Sequence, residues 1–297
     1  MLEEYSTRLE ATYDRLAAQL DARKGPDGGV VYHYTDAFGL EGILRSGKIR
    51  ATDYRFLNDR SEFKHGIENA KSLCGKLAKG TKDQRLRNFL HLTEHFLGVP
   101  DEQNRSFVAS FSERRDDLSQ WRGYANEGQG YTLGFDADWF TTKCLHDDCE
   151  FAFAKVSYSG EKFRSSVAKI INDFFELVPP RTPSRQREEA AEFCDLAIEG
   201  LCAVHKHHSF SAEVEWRLIS YLSDDDLKDI QVRPKSSGLV PFTDIDLRND
   251  DGKLPLHSIG IGPSISNAAS SQAVLDLCRM YSYECDIYNA ETPFQRI

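Results

Sequence analysis

The sequence predicts an α+β fold, with a mostly antiparallel sheet core and several flanking and inserted helices. Two observations predict it. Short runs of β-branched and aromatic residues with two-residue alternation are scattered through the 297 residues at irregular intervals. Between them lie long segments with apolar residues at helical spacing, placed too unevenly for a regular strand–helix–strand repeat. The organisation this implies is an amphipathic helix and Gly/Pro linker over 1–29, then a single domain over 30–297 with a helical insertion around 161–204.

Taken in order, residues 2–22 set Leu2, Tyr5, Leu9, Tyr13, Leu16 and Leu20 along one helical stripe. Gly25-Pro26-Asp27-Gly28-Gly29 ends it, because these residues do not continue a helix. Val30–Thr35 reads as a strand. Thr35 or Asp36 then caps a short helix with Leu40, Ile43 and Leu44 inward and Gly47 at its end. Asp59 and Glu62 form a capping-box variant ahead of Phe63, Ile67, Ala70 and Cys74 on one helical face. A further helix covers 83–97. Phe107–Ser112 alternates as a strand, and Tyr131, Leu133 and Phe135 mark another after the turn at Gly128-Gln129-Gly130. Residues 151–158 mark one more. Two helices fill 161–204 around Pro179-Pro180-Arg181-Thr182-Pro183. A strand at 213–222 follows, then a strand at 256–261, a helix over 266–280 and a strand near 284–288.

Composition narrows the function. The net charge of −10 opposes non-specific binding to nucleic acid, which demands a positive footprint. The seven cysteines are irregularly spaced and form no CxxC pair, which suits reduced thiols in the cytoplasm. The acidic start Met-Leu-Glu-Glu-Tyr is no signal peptide, and no apolar run approaches the ~18 residues of a membrane span. A Walker loop, a GxGxxG after a strand and a GxSxG elbow are all absent.

Several segments carry chemistry-bearing residues. Alternation puts His33 and Thr35 on one face of the first strand, and Tyr32 and Tyr34 on the other. A histidine there either exchanges a hydrogen bond with a ligand hydroxyl or is a core residue satisfied by backbone. Asn58 is either part of a helix entry or free to reach into a cleft. Ser110 and Ser112 share a face. Trp121 and Arg122 lie in a dense Trp-Arg-Gly-Tyr run that either stacks on itself or cradles a ribose or base. Period two places Glu213, Glu215 and Arg217 together, with Val214, Trp216 and Leu218 on the opposite face. Three charges in line are a solvated outer face or the wall of a polar cleft. His205, His207 and His208 cluster without HExxH or zinc spacing, so no metal is expected.

Tyr32-His33-Tyr34-Thr35, Phe56-Leu57-Asn58-Asp59-x-x-Glu62, Ser110-Phe111-Ser112, Gln120-Trp121-Arg122-Gly123-Tyr124-Ala125, Gly130-Tyr131-x-x-Gly134-Phe135 and Glu213-x-Glu215-Trp216-Arg217 stand in an order that resembles the bacterial domain-of-unknown-function family 2971. More distantly, a His-bearing strand, the helix Leu40-Glu41-Gly42-Ile43-Leu44-Arg45-Ser46-Gly47 and a late Glu strand resemble the ADP-ribosyltransferase plan. That resemblance implies NAD as co-substrate and a small nucleotide as ligand, with the acceptor open. It makes His33 the partner of the adenosine ribose and Tyr131 the stacking partner of nicotinamide. Glu215, or Glu213 in another register, becomes the acid at the nicotinamide ribose. Tyr34, Thr35, Asn58, Ser110, Ser112, Trp121, Arg122 and Arg217 complete the implied binding set. A carboxylate beside the sugar would stabilise the oxocarbenium-like centre left when nicotinamide departs. The alternatives are a catalytically inactive sensor of nucleotide or protein, and a metal-dependent hydrolase joining His205 or His207 to Glu213. The first two readings require His33 and Glu215 to share one hollow.

Overall fold

Alternating apolar residues become strands where a partner edge exists, and among the described residues ten strands join one sheet in the computed structural model. The structure describes residues 2–20, 24–57, 60–98, 105–146, 149–222, 228–235 and 238–294. Asn58, Asp59 and the side chains of Leu2, Leu20, Glu62 and Phe63 lie outside the described residues. The strands are β1 (Val30–Thr35), β2 (Lys48–Asp53), β3 (Arg105–Ser112), β4 (Tyr131–Asp136), β5 (Ala152–Lys155), β6 (Glu215–Leu222), β7 (Gln231–Lys235), β8 (Gly238–Asp246), β9 (Leu256–Ile261) and β10 (Asp286–Asn289). The helices are α1 (Leu2–Leu20), α2 (Ala37–Ser46), α3 (Arg60–Gly80), α4 (Gln84–Phe96), α5 (Leu118–Tyr124), α6 (Ala137–Lys143), α7 (Gly160–Phe175), α8 (Ser184–Ala203) and α9 (Ala268–Tyr281).

The main path runs β10-β9-β4-β1-β3-β2-β8-β7, with β6 added on β3 and β5 on β6. The pairing of β10 with β9 is parallel, and the other pairings are antiparallel. The fold is therefore α+β with a mostly antiparallel sheet. Two cores sandwich its centre. Val108, Ala154 and Ile219 point into a core built with α1, α3, α4, α7 and α8. Phe107, Phe153 and Leu218, their neighbours in sequence, point into a second core with α2, α6 and α9. No described helix is long and apolar enough to cross a membrane.

One irregularity positions the site. β3 pairs along its whole length with β6, from Arg105↔Leu222 to Ser112↔Glu215. On its other edge it meets β1 only at Tyr32↔Ser112 and β2 only at Thr52↔Val108 and Asp53↔Phe107. Ala109, Ser110 and Phe111 pair with neither strand, so the sheet parts between β1 and β2. The helix bridging these strands has well-defined ends. Asp36 accepts the Gly39 N–H at 2.7 Å, which makes it the cap of α2. Gly47 closes α2 at φ 68°, a left-handed conformation that glycine adopts without a Cβ penalty.

Three expectations change. The strand expected at 213–222 starts at Glu215, because Val214 takes a left-handed backbone (φ 44°, ψ 55°) and Glu213 ends a 3-10 turn, His208–Glu213. The run containing Trp121 is α5, capped by Asp117. β2, β7 and β8 were not foreseen, since their alternation carries charges and, in β7 and β8, prolines.

Candidate functional site

A cavity of about 1030 Å³ opens where β1 and β2 separate, roughly the upper end of the size of small-molecule sites. Its walls come from β1, α2, β2 and the middle of β3, with α5, β6 and the segment ahead of β6 closing one end. Ser110 loses a strand partner at the parting, and its backbone carbonyl must be satisfied otherwise. The His33 ring does this, with Nδ1 2.9 Å from the Ser110 oxygen. A carbonyl only accepts, so Nδ1 carries the proton and donates. Burial pushes the His33 pKa below the ordinary histidine value, the Ser110 bond opposes this, and the nearby charge of Arg233 lowers it further. The ring is then neutral at physiological pH and offers Nε2 as an acceptor, suited to a hydroxyl or N–H group.

The Ser110 side chain lies near enough to the Glu215 carboxylate to help lower its pKa, so one residue stands between His33 and the late acid. Glu215 and Arg217 do not form a solvated face: they are 5% and 3% exposed. Arg217 grips Glu215 bidentately, at 2.8 Å from Nε and 3.1 Å from Nη2, and its Nη1 donates to the Ala203 carbonyl at 2.6 Å. Lys206 Nζ adds a third bond to Glu215 at 3.2 Å and another to Glu213 at 2.5 Å. Burial alone would raise the Glu215 pKa, but the charges of Arg217 and Lys206 outweigh it and hold the carboxyl at about 2. Tyr124 donates to Glu213 at 3.2 Å, and Lys206 lies 4.9 Å above the Phe210 ring.

Val214 makes this convergence local. It holds a left-handed conformation that β-branched residues rarely adopt, between the two acids that both reach Lys206. The kink sits between Glu213 and Glu215, whose carboxylates meet on one ammonium group.

The cavity lining therefore includes His33, Tyr34, Thr35, Ser110, Glu213, Glu215 and Arg217. Ser112, Trp121, Arg122 and Tyr131 stand outside it. Ser112 donates to the Glu213 carbonyl at 2.6 Å and so fixes the acid segment from behind. Trp121 is fully buried, donates from Nε1 to Asp116 at 2.6 Å and meets the Tyr34 ring edge-on at 4.9 Å. Arg122 stacks on Phe294 at 5.3 Å. Tyr131 sits in β4 opposite Thr35 and Ile261. Asn58 lies outside the described residues.

Residues 120–218 match the model of a family described as "Protein of unknown function (DUF2971)". No curated protein and no solved structure matches the chain. The matched segment runs from α5 into β6 and holds Tyr124, Lys206, Glu213, Glu215 and Arg217, the charged end of the cavity. His33, Ser110 and the walls from α2 and β2 lie before it.

Sequence reasoning missed Lys206, Phe210, Arg50 and Arg233 as lining residues. Lys206 was visible only as a lysine within the His205–His208 run. Among the described residues no group of three or more His, Cys, Asp or Glu could hold a metal ion. His205 stacks on Phe163 at 4.4 Å, and His207 bonds to Ser209 at 2.9 Å.

Proposed function

We propose that the protein binds NAD in this cavity and cleaves its nicotinamide–ribose bond, passing ADP-ribose to an acceptor in the manner of ADP-ribosyltransferases. The observation that carries the reading is that His33, Ser110 and Glu215 line one cavity at the parting of the sheet, with His33 bonded to the Ser110 carbonyl. In this reaction the C1′–N bond breaks and its electron pair stays with nicotinamide. The acceptor's nucleophile forms the new bond to C1′ and releases its proton. The neutral His33 ring accepts a ribose hydroxyl. Glu215, ionised throughout the physiological range, serves as a fixed negative charge beside the developing cation and not as a proton shuttle. Its field is moderated by Arg217 and Lys206, so Glu213, bonded by Lys206 and Tyr124, supplies the second negative charge at that end.

One observation favours a second reading, a catalytically inactive nucleotide sensor. Arg217 and Lys206 already donate three bonds to the Glu215 carboxylate, leaving it little capacity to accept a ribose hydroxyl. Incubation with NAD labelled in the nicotinamide ring separates the two. The enzyme reading expects released nicotinamide, with a roughly 100-fold loss in Glu213→Gln or Glu215→Gln variants that retain their circular dichroism. Saturable NAD binding without release would leave the sensor, and neither binding nor release would overturn both.

A further inference from the structure

The cavity has a cationic flank that the paired acids do not neutralise. β8 lies between β2 and β7, and its Phe242 side chain is flanked by a guanidinium from each neighbour. Arg50 lies 5.0 Å from the ring centroid and Arg233 lies 5.6 Å from it. Arg233 reaches across β8 to donate from Nη2 to Thr52 Oγ1 at 3.0 Å, while its buried Nε has no hydrogen-bond partner among the described residues. Lys48 lines the same wall. Among the described residues no carboxylate lies within 4.0 Å of a charged nitrogen of Lys48, Arg50 or Arg233. The nearby acids act on this flank only through space: Asp36 caps α2, Asp244, opposite Arg50 in register, accepts from Gln231, and Asp246, opposite Lys48, is held by Arg248.

We infer that Arg50 and Arg233 form a subsite for the phosphate groups of the ligand, most simply a diphosphate. Two like charges held on one ring, with Asp36 and Asp244 acting on Arg233 only through space and forming no ion pair with either guanidinium, leave room for a ligand to supply a direct counter-ion. Guanidinium groups suit phosphate oxygens because each offers paired N–H donors in a plane. A diphosphate matches two cations in charge where a single carboxylate matches one. The chain as a whole is acidic, so this patch is a local exception and not part of a generally anion-attracting surface. Arg233 is also close enough to lower the His33 pKa, which puts the anionic group beside the hydroxyl-binding ring. The inference deepens the nucleotide reading and rests on it only for the identity of the ligand.

Inorganic pyrophosphate is the probe. Titration calorimetry on the full chain at fixed ionic strength is expected to show saturable binding, weakened at least tenfold in Arg50→Gln/Arg233→Gln. The control Arg15→Gln, on α1 with its partner Asp173, is expected to bind as wild type. Should the double variant fold poorly, the exposed Arg50→Gln alone carries the test with a smaller loss. Adenosine binding is expected to be insensitive to the arginines, whereas ADP binding weakens as pyrophosphate binding does. Equal pyrophosphate affinity in wild type and the arginine variants, or equal loss in Arg15→Gln, would overturn the subsite. Arginine-dependent pyrophosphate binding without any NAD binding or cleavage would keep the subsite and remove the NAD reading. Unchanged NAD cleavage and phosphate binding in the double variant would do the reverse.

Discussion

Asp53 and Glu215 are the two most deeply buried carboxylates among the described residues, and of the two only Glu215 lines the cavity. Asp53, fully buried at the end of β2, accepts from the backbone and side chain of Arg55 and from Arg105. Glu215, at the start of β6, is held by Arg217 and Lys206. Burial alone would raise both pKa values, and in both the cationic partners lower them. By charge pairing alone the two would rank as equal site candidates. The difference lies in what surrounds them. Asp53 caps a 3-10 turn and ties β2 to β3, and it does not line the cavity although Thr52 beside it does. Glu215 faces the cavity beside a second acid. Of these two perturbed carboxylates, only the one where the sheet parts faces a cavity.

The largest expected effect sharpens this contrast. Glu215→Gln leaves Arg217 and Lys206 underpaired, with side chains 4% and 6% exposed. The expected cost is about 3–5 kcal/mol, the range for breaking a buried pair. Asp53→Asn leaves Arg55 and Arg105, which are 32% and 18% exposed, so water can replace part of what is lost. Its expected cost is about 2 kcal/mol, with pyrophosphate affinity unchanged. Urea midpoints at constant slope measure both losses. Equal costs would mean that the burial of the cations does not set the penalty.

Acid titration is the next largest. The Glu215 pKa falls from 4.5 to about 2 on folding, so its contribution is present above about pH 4.5 and is lost as pH drops towards 2. The shift corresponds to about 3 kcal/mol. Asp53, also lowered, loses its contribution in the acid range below its ordinary value of 3.8. His33 acts at higher pH. Its pKa is lowered below 6.5, so the unfolded chain binds the proton first and stability falls as pH drops below about 6.5. Urea midpoints from pH 7.5 to 2.5 should show both declines. Glu215→Gln should flatten the lower one and leave the upper one intact. A variant profile parallel to wild type would contradict the ion-paired state of Glu215.

Much of this architecture was legible in the sequence because local chemistry dictated it. Val30–Thr35 and Leu256–Ile261 are strands with the bounds their alternation suggested, and Asp36 and Gly47 delimit α2. Alternation also paired Glu215 with Arg217 on one face. It could not reveal that this face is buried, because α8 and the Lys206 segment that cover it come from the preceding stretch of chain. Trp121 and Arg122 looked like ligand-binding residues by type, yet their partners Asp116, Tyr34 and Phe294 are fixed by tertiary packing. Arg50 and Arg233 were invisible as a pair, since only the order β2-β8-β7 brings them to one ring. Local motifs are readable, whereas a cavity is a product of strand order.

The smallest expected effect tests whether the kink at Val214 stores strain. In an ordinary half-buried strand position, Val→Gly loses packing and frees the unfolded chain, and both changes are destabilising. At Val214 the left-handed backbone costs an L-residue about 1–2 kcal/mol that glycine does not bear. The gain offsets the losses, so Val214→Gly is expected to stay within about 1 kcal/mol of wild type by urea denaturation. A loss above about 2 kcal/mol would mean that the side chain's packing outweighs the backbone term. If stability is preserved while ligand affinity falls, Val214 acts by holding Glu213 and Glu215 on Lys206. The conformation would then be retained for the site and not for the fold.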